Sequence, residues 1–428
     1  LLPTQVVSAA DSRPNILFIA VDDLRPELGC YGTAAIRSPN IDKLAASGVV
    51  FQRAYCQLAV CNPSRVSVMT GLRPDSTKVW DLVTRFRQTI PDAVTLPQQF
   101  IKHGYHAVSF GKVFHNPWPD NDSWSEPHAW PAPRLLWSKD AQQQRAEYRK
   151  SMREKGLPEN KVARMRAVAT EMVDTPDSQH IDGAIAEQAV VAMKRLAQQD
   201  KPFFLACGFY RPHLPFVAPK KYWDLYPTDR VTLPDNMFFP HGLPSAFNYT
   251  WGEMRSYFGI PKKGPVSEPT AVQLIRGYYA CVSFIDAQVG RLLDQLEKLG
   301  VAENTIIVLW GDHGWQLGEH GFWCKHTNFE VAARTPLLVV APGVEGGRVS
   351  QRLVEYIDIY PTLCDLAGLP KPGHLQGKSL NALLVDVDAE HKEAVITRHG
   401  GGDAVRTDAY RYMEMRTKNG AGQLQGVG

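Results

Sequence analysis

The run NILFIAVD, Asn15–Asp22, limits the fold more than any other stretch of the chain. Its apolar residues are continuous rather than alternating, as expected of a strand covered on both faces. The pattern recurs with helical segments in between. Leu96–His103 has helical periodicity and Tyr105–Phe110 reads as a short strand. Ile181–Gln199 is a helix followed by the buried strand Pro202–Tyr210. Ala271–Leu299 is a long helix followed by the strand Thr305–Trp310, and Thr335–Ala341 is a further strand. Such alternation predicts an α/β fold, a large mostly parallel sheet flanked by helices on both faces. The 428 residues, 44% hydrophobic and 21% charged, supply an ample core. One large domain with a small appendage fits this length as well as two or three units do.

Composition excludes several function classes. A net charge of +3 argues for neither nucleic acid nor membrane as a partner. The seven cysteines (Cys30, Cys56, Cys61, Cys207, Cys281, Cys324 and Cys364) include no CxxC pair. A disulfide framework or a structural zinc site is therefore not expected. No apolar run reaches the ~18 residues of a membrane span. Residues 1–12 read as a leader or signal-peptide remnant: LLPTQVVSAA ends in Ser8-Ala9-Ala10 but carries no initiating Met and no basic region. Export to the periplasm, the exterior or a lysosome is the expectation.

In open α/β sheets the binding site lies at the carboxyl ends of the strands. Asp22 and Asp23 close the first strand. Lys112 and His115 follow the strand ending near Phe110, Arg211 and His213 the one ending at Tyr210, and Asp312 and His313 the one ending at Trp310. Singly, an Asp pair after a strand is commonly a helix cap, and a loop His a surface residue. Four strands delivering such groups to one rim is the informative pattern. Asp22, Asp23 and Asp312 are hard oxygen donors, which suit calcium or magnesium better than zinc. Arg65, Lys112, His115, His213 and Lys325 are cationic or can become so. A divalent cation with that many donors suits an anion carrying several oxygens, a sulfate or phosphate ester.

The segment CNPSRVSVMTG, Cys61–Gly71, separates those two. Cys61, Pro63 and Arg65 form C-x-P-x-R, extended by Thr70-Gly71. This resembles the type I sulfatase signature, whose cysteine is oxidised to formylglycine by a dedicated maturation enzyme. The matching stretches are VDDLRPELGCYG (Val21–Gly32), AVCNPSRVS (Ala59–Ser67), GKVFH (Gly111–His115), FYRPHLPF (Phe209–Phe216) and DHGWQLGEHGFWCKHTNF (Asp312–Phe329). They resemble the iduronate-2-sulfatase branch of the sulfatase family, within the alkaline phosphatase superfamily, from Asn15 to about Arg411.

The resemblance implies the following roles. Asp22, Asp23, Asp312 and His313 form a calcium shell, with an oxygen from formylglycine-61. The family often has Asn in place of His313, which makes His313 the least typical ligand. Arg65 and Lys112 hold the formylglycine and the sulfate oxygens. A hydrated aldehyde carries two hydroxyls, one to attack sulfur and one to expel sulfate later. His115 takes the proton for that second step, and His213 or Lys325 protonates the leaving alcohol. Trp315, Lys325 and His213 line the sugar pocket. The implied substrate is a sulfated oligosaccharide or polysaccharide, with exo removal of a 2-O-sulfate from a uronic acid. Arg85 and Arg87, in WDLVTRFRQT, are either carboxylate partners or a solvated helix face.

The resemblance implies a catalytic domain over 13–388 and a small C-terminal subdomain over 389–428. Within it RYMEMRT (Arg411–Thr417) reads as a strand. Relatives continue into a motif of the ELYDLxxDP kind where this chain stops at Gly428, so that subdomain is expected to be truncated. Residues 116–180 read as an insertion or lid, with Trp118, Trp124, Trp130 and Trp137 before a basic helical stretch from about Asp140 to Ala169. Those rings either stack on sugar faces or pack the loop onto the core. Two other functions fit less well. A phosphonate monoester or phosphodiester hydrolase of the same superfamily would be separated by activity on aryl phosphonates. A silent glycan-binding relative would be expected to have lost some of Cys61, Arg65, Lys112 and His115, and all four are present.

Overall fold

The computed structural model describes residues 13–131, 136–249, 252–418 and 424–427. The expected leader, residues 1–12, lies outside them. Seven strands build the main sheet: β1 (Asn15–Val21), β2 (Val49–Tyr55), β3 (His106–Gly111), β4 (Phe203–Phe209), β5 (Thr305–Gly311), β6 (Leu337–Val340) and β7 (Arg348–Glu355). Their order is β7-β2-β6-β5-β1-β4-β3. β1 pairs in parallel with β4 and β5, β3 with β4, and β2 with β7. Only β6 runs against its neighbours β2 and β5. Two strands, β2 and β7, escaped the sequence reading. VVFQRAY and RVSQRLVE interrupt their apolar residues with charged and amide side chains that stay partly open to solvent.

The period of two along β1 divides the interior. Leu17, Ile19 and Val21 enter one core with the helices α5 (Ile181–Leu196) and α6 (Glu268–Lys298). Ile16, Phe18 and Ala20 enter the other, with α2 (Cys61–Thr70), α3 (Leu96–Lys102) and α7 (Ile359–Leu366). The helix α1 (Pro39–Ala46) joins the first core through Ile41 and Leu44. α6 shows why such a segment is helical. Ala271, Leu274, Ile275, Tyr278, Cys281, Val282, Ile285, Val289, Leu292 and Leu296 are all buried and recur three or four apart. Pro269 sits in its first turn beside Glu268, and Lys298 lies in its last, as the helix dipole favours. Each large aliphatic residue on that face stabilises by ~1.5–3 kcal/mol. Truncating Leu292 to Ala would cost ~2–5 kcal/mol.

Within 116–180, the helix α4 (Lys139–Glu154) begins where the Ser138 hydroxyl accepts the Ala141 amide. Trp124 and Trp137 are buried, whereas Trp130 is exposed and Trp118 half-buried. The C-terminal strands β8 (Val395–His399), β9 (Gly402–Arg406), β10 (Arg411–Lys418) and β11 (Leu424–Val427) make a separate antiparallel sheet. It is tied to the main body by the Arg398 amide on the Gln57 carbonyl (2.9 Å) and Arg411 on Glu330 (2.7 Å). No helix among the described residues is long and apolar enough to cross a membrane.

Candidate active site

The parallel ladder runs one step past the strands and sets the polar groups side by side. The Asp22 amide donates to the Phe209 carbonyl (3.1 Å), Asp312 to Val21 (3.2 Å) and Lys112 to Gly208 (2.8 Å). Glycine is required at position 208: a Cβ there would stand 2.1 Å from the Lys112 carbonyl carbon and oxygen. Asp23 adopts a left-handed φ of 59°, uncommon for a residue with a side chain. Its amide donates to Asp312 Oδ1 at 2.9 Å, which holds the turn. The β1 run thus ends in two adjacent carboxylates turned differently.

Arg65 lies beneath them, fully buried. Its Nε donates to Asp312 Oδ2 (2.9 Å) and its Nη2 to Asp22 Oδ1 (3.1 Å). Nη1 donates to the carbonyls of Lys112 and Val113. Lys112 Nζ donates to Asp22 Oδ2. Burial would raise the Asp22 carboxyl, but Lys112 and Arg65 outweigh it and hold the group well below the usual range. At Asp23 burial prevails over Lys325 and His213, and the carboxyl is raised. Removing one partner from a buried pair costs ~3–5 kcal/mol, so these charges depend on one another.

Cys61 opens α2, and its Sγ lies 3.3 Å from His313 Nε2. Arg65, one turn on, shares its face of the helix. The free amides of the helix N-terminus favour an anion. Burial, then Asp22, pushes the Cys61 thiol well above its usual range despite Lys112 and Lys325, so the thiol itself is a poor nucleophile. Burial and Lys112 hold His115 down to about 3, which keeps its imidazole neutral. Its Nδ1 is buried without a partner among the described residues.

The opposite wall comes from two other segments. His213 Nδ1 bonds the Leu214 carbonyl (2.7 Å), which leaves Nε2 3.1 Å from Glu253 Oε1 and 4.0 Å from Asp23 Oδ2. Lys325 Nζ lies 2.9 and 3.1 Å from the Asp23 oxygens and 3.2 Å from Glu253 Oε2. Asp23 and Glu253 outweigh burial and raise Lys325 well above the usual range. Trp315 is completely buried: its ring centroid is 5.0 Å from Lys325 Nζ and 6.5 Å from the His213 ring. It therefore backs the two cations. Glu253 was not singled out in the sequence, since it lies in an irregular stretch with no strand end to mark it.

All the sequence-predicted metal residues converge. Donor atoms of Asp22, Cys61, Asp312 and His313 lie within 4.8 Å of one another, and so do those of Asp22, Asp23, Cys61 and His213. Three buried carboxylates fit a hard cation such as calcium, and His313 adds one nitrogen. Arg87 has a different fate from the one expected. It is neither solvated nor free: it spans Asp120 (3.0 and 2.8 Å), Gln98 (3.0 Å) and the carbonyls of Pro91 (3.1 Å) and Ala93 (2.7 Å). Arg85 remains exposed.

The sequence model described as Sulfatase matches residues 14–369. The iduronate 2-sulfatase of Mus musculus is 38% identical over 397 residues, 85% of this chain and 70% of that protein. That of Homo sapiens is 37% identical over 401 residues, 86% and 71%. A sulfatase of Formosa agariphila is 34% identical over 434 residues, 94% and 79%. Among solved structures, a phosphonate monoester hydrolase from Silicibacter pomeroyi aligns with a TM-score of 0.75 at 22% identity, covering 97% of this chain and 88% of that one. A protein in complex with its substrate D-glucosamine-2-N,6-O-disulfate aligns at 0.70 and 23%, covering 97% and 91%. These last two establish the shared fold alone. With the family pattern spanning every strand of the main sheet and the buried centre at its rim, the chain belongs to the sulfatase family and is a sulfuric ester hydrolase.

Proposed function

We propose that the chain removes a 2-O-sulfate from a terminal uronic acid of a sulfated glycan. It acts through a formylglycine made from Cys61 by a formylglycine-generating or other sulfatase-maturing enzyme, and a calcium ion. The observation that carries this reading is Cys61 at a helix N-terminus among three buried carboxylates and six cationic or imidazole side chains. The iduronate 2-sulfatase relatives support the sugar class. Expected export also suits a polysaccharide substrate.

Bound calcium supplies Lewis acidity and the formylglycine hydrate a pair of hydroxyls on one carbon. Asp22, Asp23, Asp312 and His313 would hold the cation. Arg65 fixes two of those carboxylates, and it and Lys112 present positive charge to sulfate oxygens. Neutral His115 accepts a proton. Lys325 holds its own proton tightly between Asp23 and Glu253, so it serves as a fixed charge. His213, its Nδ1 occupied, offers Nε2 to the leaving oxygen, with Glu253 fixing the ring. Trp315 holds both residues in place.

A panel of defined sulfated oligosaccharides, varied in sulfate position and in the carboxylate, tests the assignment. Desulfation of terminal 2-O-sulfated uronates, lost on chelation and restored by calcium better than by zinc, is the expected result. Turnover of neutral galactose or fucose sulfates with uronates untouched would overturn the uronate assignment. The Silicibacter pomeroyi likeness motivates one rival, and faster turnover of an aryl phosphonate than of an aryl sulfate would favour it.

A further inference from the structure

Arg85 is set apart from its neighbours by what surrounds it. Its guanidinium carbon lies 5.2 Å from the centroid of Trp118, and among the described residues it has no carboxylate or carbonyl partner. The residues on either side are firmly anchored. Phe86 is buried and stacks on Phe114 with centroids 5.6 Å apart and planes 5° apart. Arg87 is locked onto Asp120. The preceding loop is pinned to the active-site helix, where the side-chain Nδ2 of Asn62, next to Cys61, donates to the carbonyls of Asp81 (2.8 Å) and Thr84 (2.9 Å). The Asp81 carboxylate accepts the amides of Val83 (2.9 Å) and Thr84 (2.7 Å). Trp118 is fixed from the catalytic side, since its amide donates to the His115 carbonyl at 3.1 Å.

An exposed guanidinium is thus held between the neighbour of Cys61 and the turn that follows His115. A solvated arginine needs none of this anchoring. Stacking on an indole orients the planar fork while leaving its N–H groups free, which lowers the entropy lost when it binds. Such a fork matches a carboxylate or sulfate in two parallel hydrogen bonds.

We propose that Arg85, seated on Trp118, binds an anionic group of the glycan unit adjoining the sulfated sugar and so selects for polyanionic substrates. This rests on the glycan reading above. The anion is a carboxylate or a second sulfate, which present the same paired oxygens.

The test compares fully matured enzyme with its Arg85→Gln and Arg85→Lys variants. Three kinds of substrate are used: an aryl sulfate, a sulfated disaccharide whose second sugar is neutral, and matched disaccharides whose second sugar carries a carboxylate or a sulfate. In Arg85→Gln, kcat/KM for the anionic disaccharides relative to the aryl sulfate is expected to fall about tenfold, mostly through KM. The neutral disaccharide keeps its ratio. Arg85→Lys recovers only part, because an ammonium lacks the fork, and whichever anionic disaccharide shows the larger loss identifies the natural anion. Unchanged ratios in Arg85→Gln, or an equal fall on all substrates, would overturn the proposal. If wild type turned over the aryl sulfate but no disaccharide, the glycan reading would fail. The Arg85 proposal is then judged on binding of sulfated oligosaccharides to Cys61→Ala with and without Arg85→Gln, and equal affinity would sink it.

Discussion

Two buried charge networks lie at different places in this molecule, and they are built differently. One is the rim cluster of Asp22, Asp23, Asp312, Arg65, Lys112 and Lys325. The other joins Glu355 and Asp358, just before α7, to Arg73, His391 and Lys392. In the second, Asp358 accepts the amides of Glu355 (2.8 Å) and Lys378 (2.7 Å) as well as Lys392 Nζ at 2.6 and 2.8 Å. Glu355 accepts Arg73 (2.8 and 2.6 Å) and Lys392 (2.7 Å). It is a capping box reinforced by cations that keep partial contact with water. Burial would raise Asp358, but His391 and Lys392 outweigh it and hold the carboxyl low.

At the rim, carboxylates from separate strands crowd together over cations that are themselves buried. Asp23 ends up raised because burial outweighs Lys325, even with that ammonium 2.9 and 3.1 Å from its two oxygens. Burial with pairing is therefore no mark of a site. The mark is like charges forced together, with too little local backbone to satisfy them.

Substitutions should break this comparison in opposite directions. Cys61→Ala should lower kcat by ~10⁴-fold or more, as removal of a nucleophile does, with little change in thermal stability. Peptide mass spectrometry of active wild type should show formylglycine at position 61, and full activity with an unmodified thiol would refute the mechanism. Asp358→Ala should do the reverse. It should destabilise by ~3–5 kcal/mol in denaturant titrations, since it takes a buried partner from both His391 and Lys392 and breaks the capping box of the turn that leads into α7. The folded fraction should keep its kcat/KM, and a catalytic defect at equal folding would erase the distinction between the networks.

Acid separates them more gently. The folded Asp358 carboxyl lies below the ordinary ~3.9, so the unfolded chain takes up that proton first. Its stabilisation is complete above ~3.9 and is lost as pH falls through the folded value. His115, held to about 3, behaves in a higher window. The unfolded imidazole protonates near ~6.5, so stability falls from there toward 3. Stability measured against pH should therefore flatten between about 6 and 4 in His115→Gln, and only below about 4 in Asp358→Asn. A slope unchanged by His115→Gln would show that this imidazole is not held neutral.

Most of the centre was legible because its residues follow strands. A buried parallel strand announces itself as an apolar run, and the residue after it stands at the rim. That logic reached Asp22, Asp23, Lys112, His115, His213, Asp312 and His313, while the spacing around Cys61 reached Arg65. It missed Glu253, whose segment has no periodicity, and it treated Arg85 and Arg87 alike. Two positions apart, one is spent on Asp120 and the other stands free on Trp118. The sequence by itself determined the layers and the ends of five of the seven main strands, because hydrophobic period is a local property. Only the tertiary structure decided that β6 runs antiparallel, that Trp315 is buried behind Lys325, and that Glu253 meets His213. Those depend on contacts between residues distant in the chain, which no local pattern encodes.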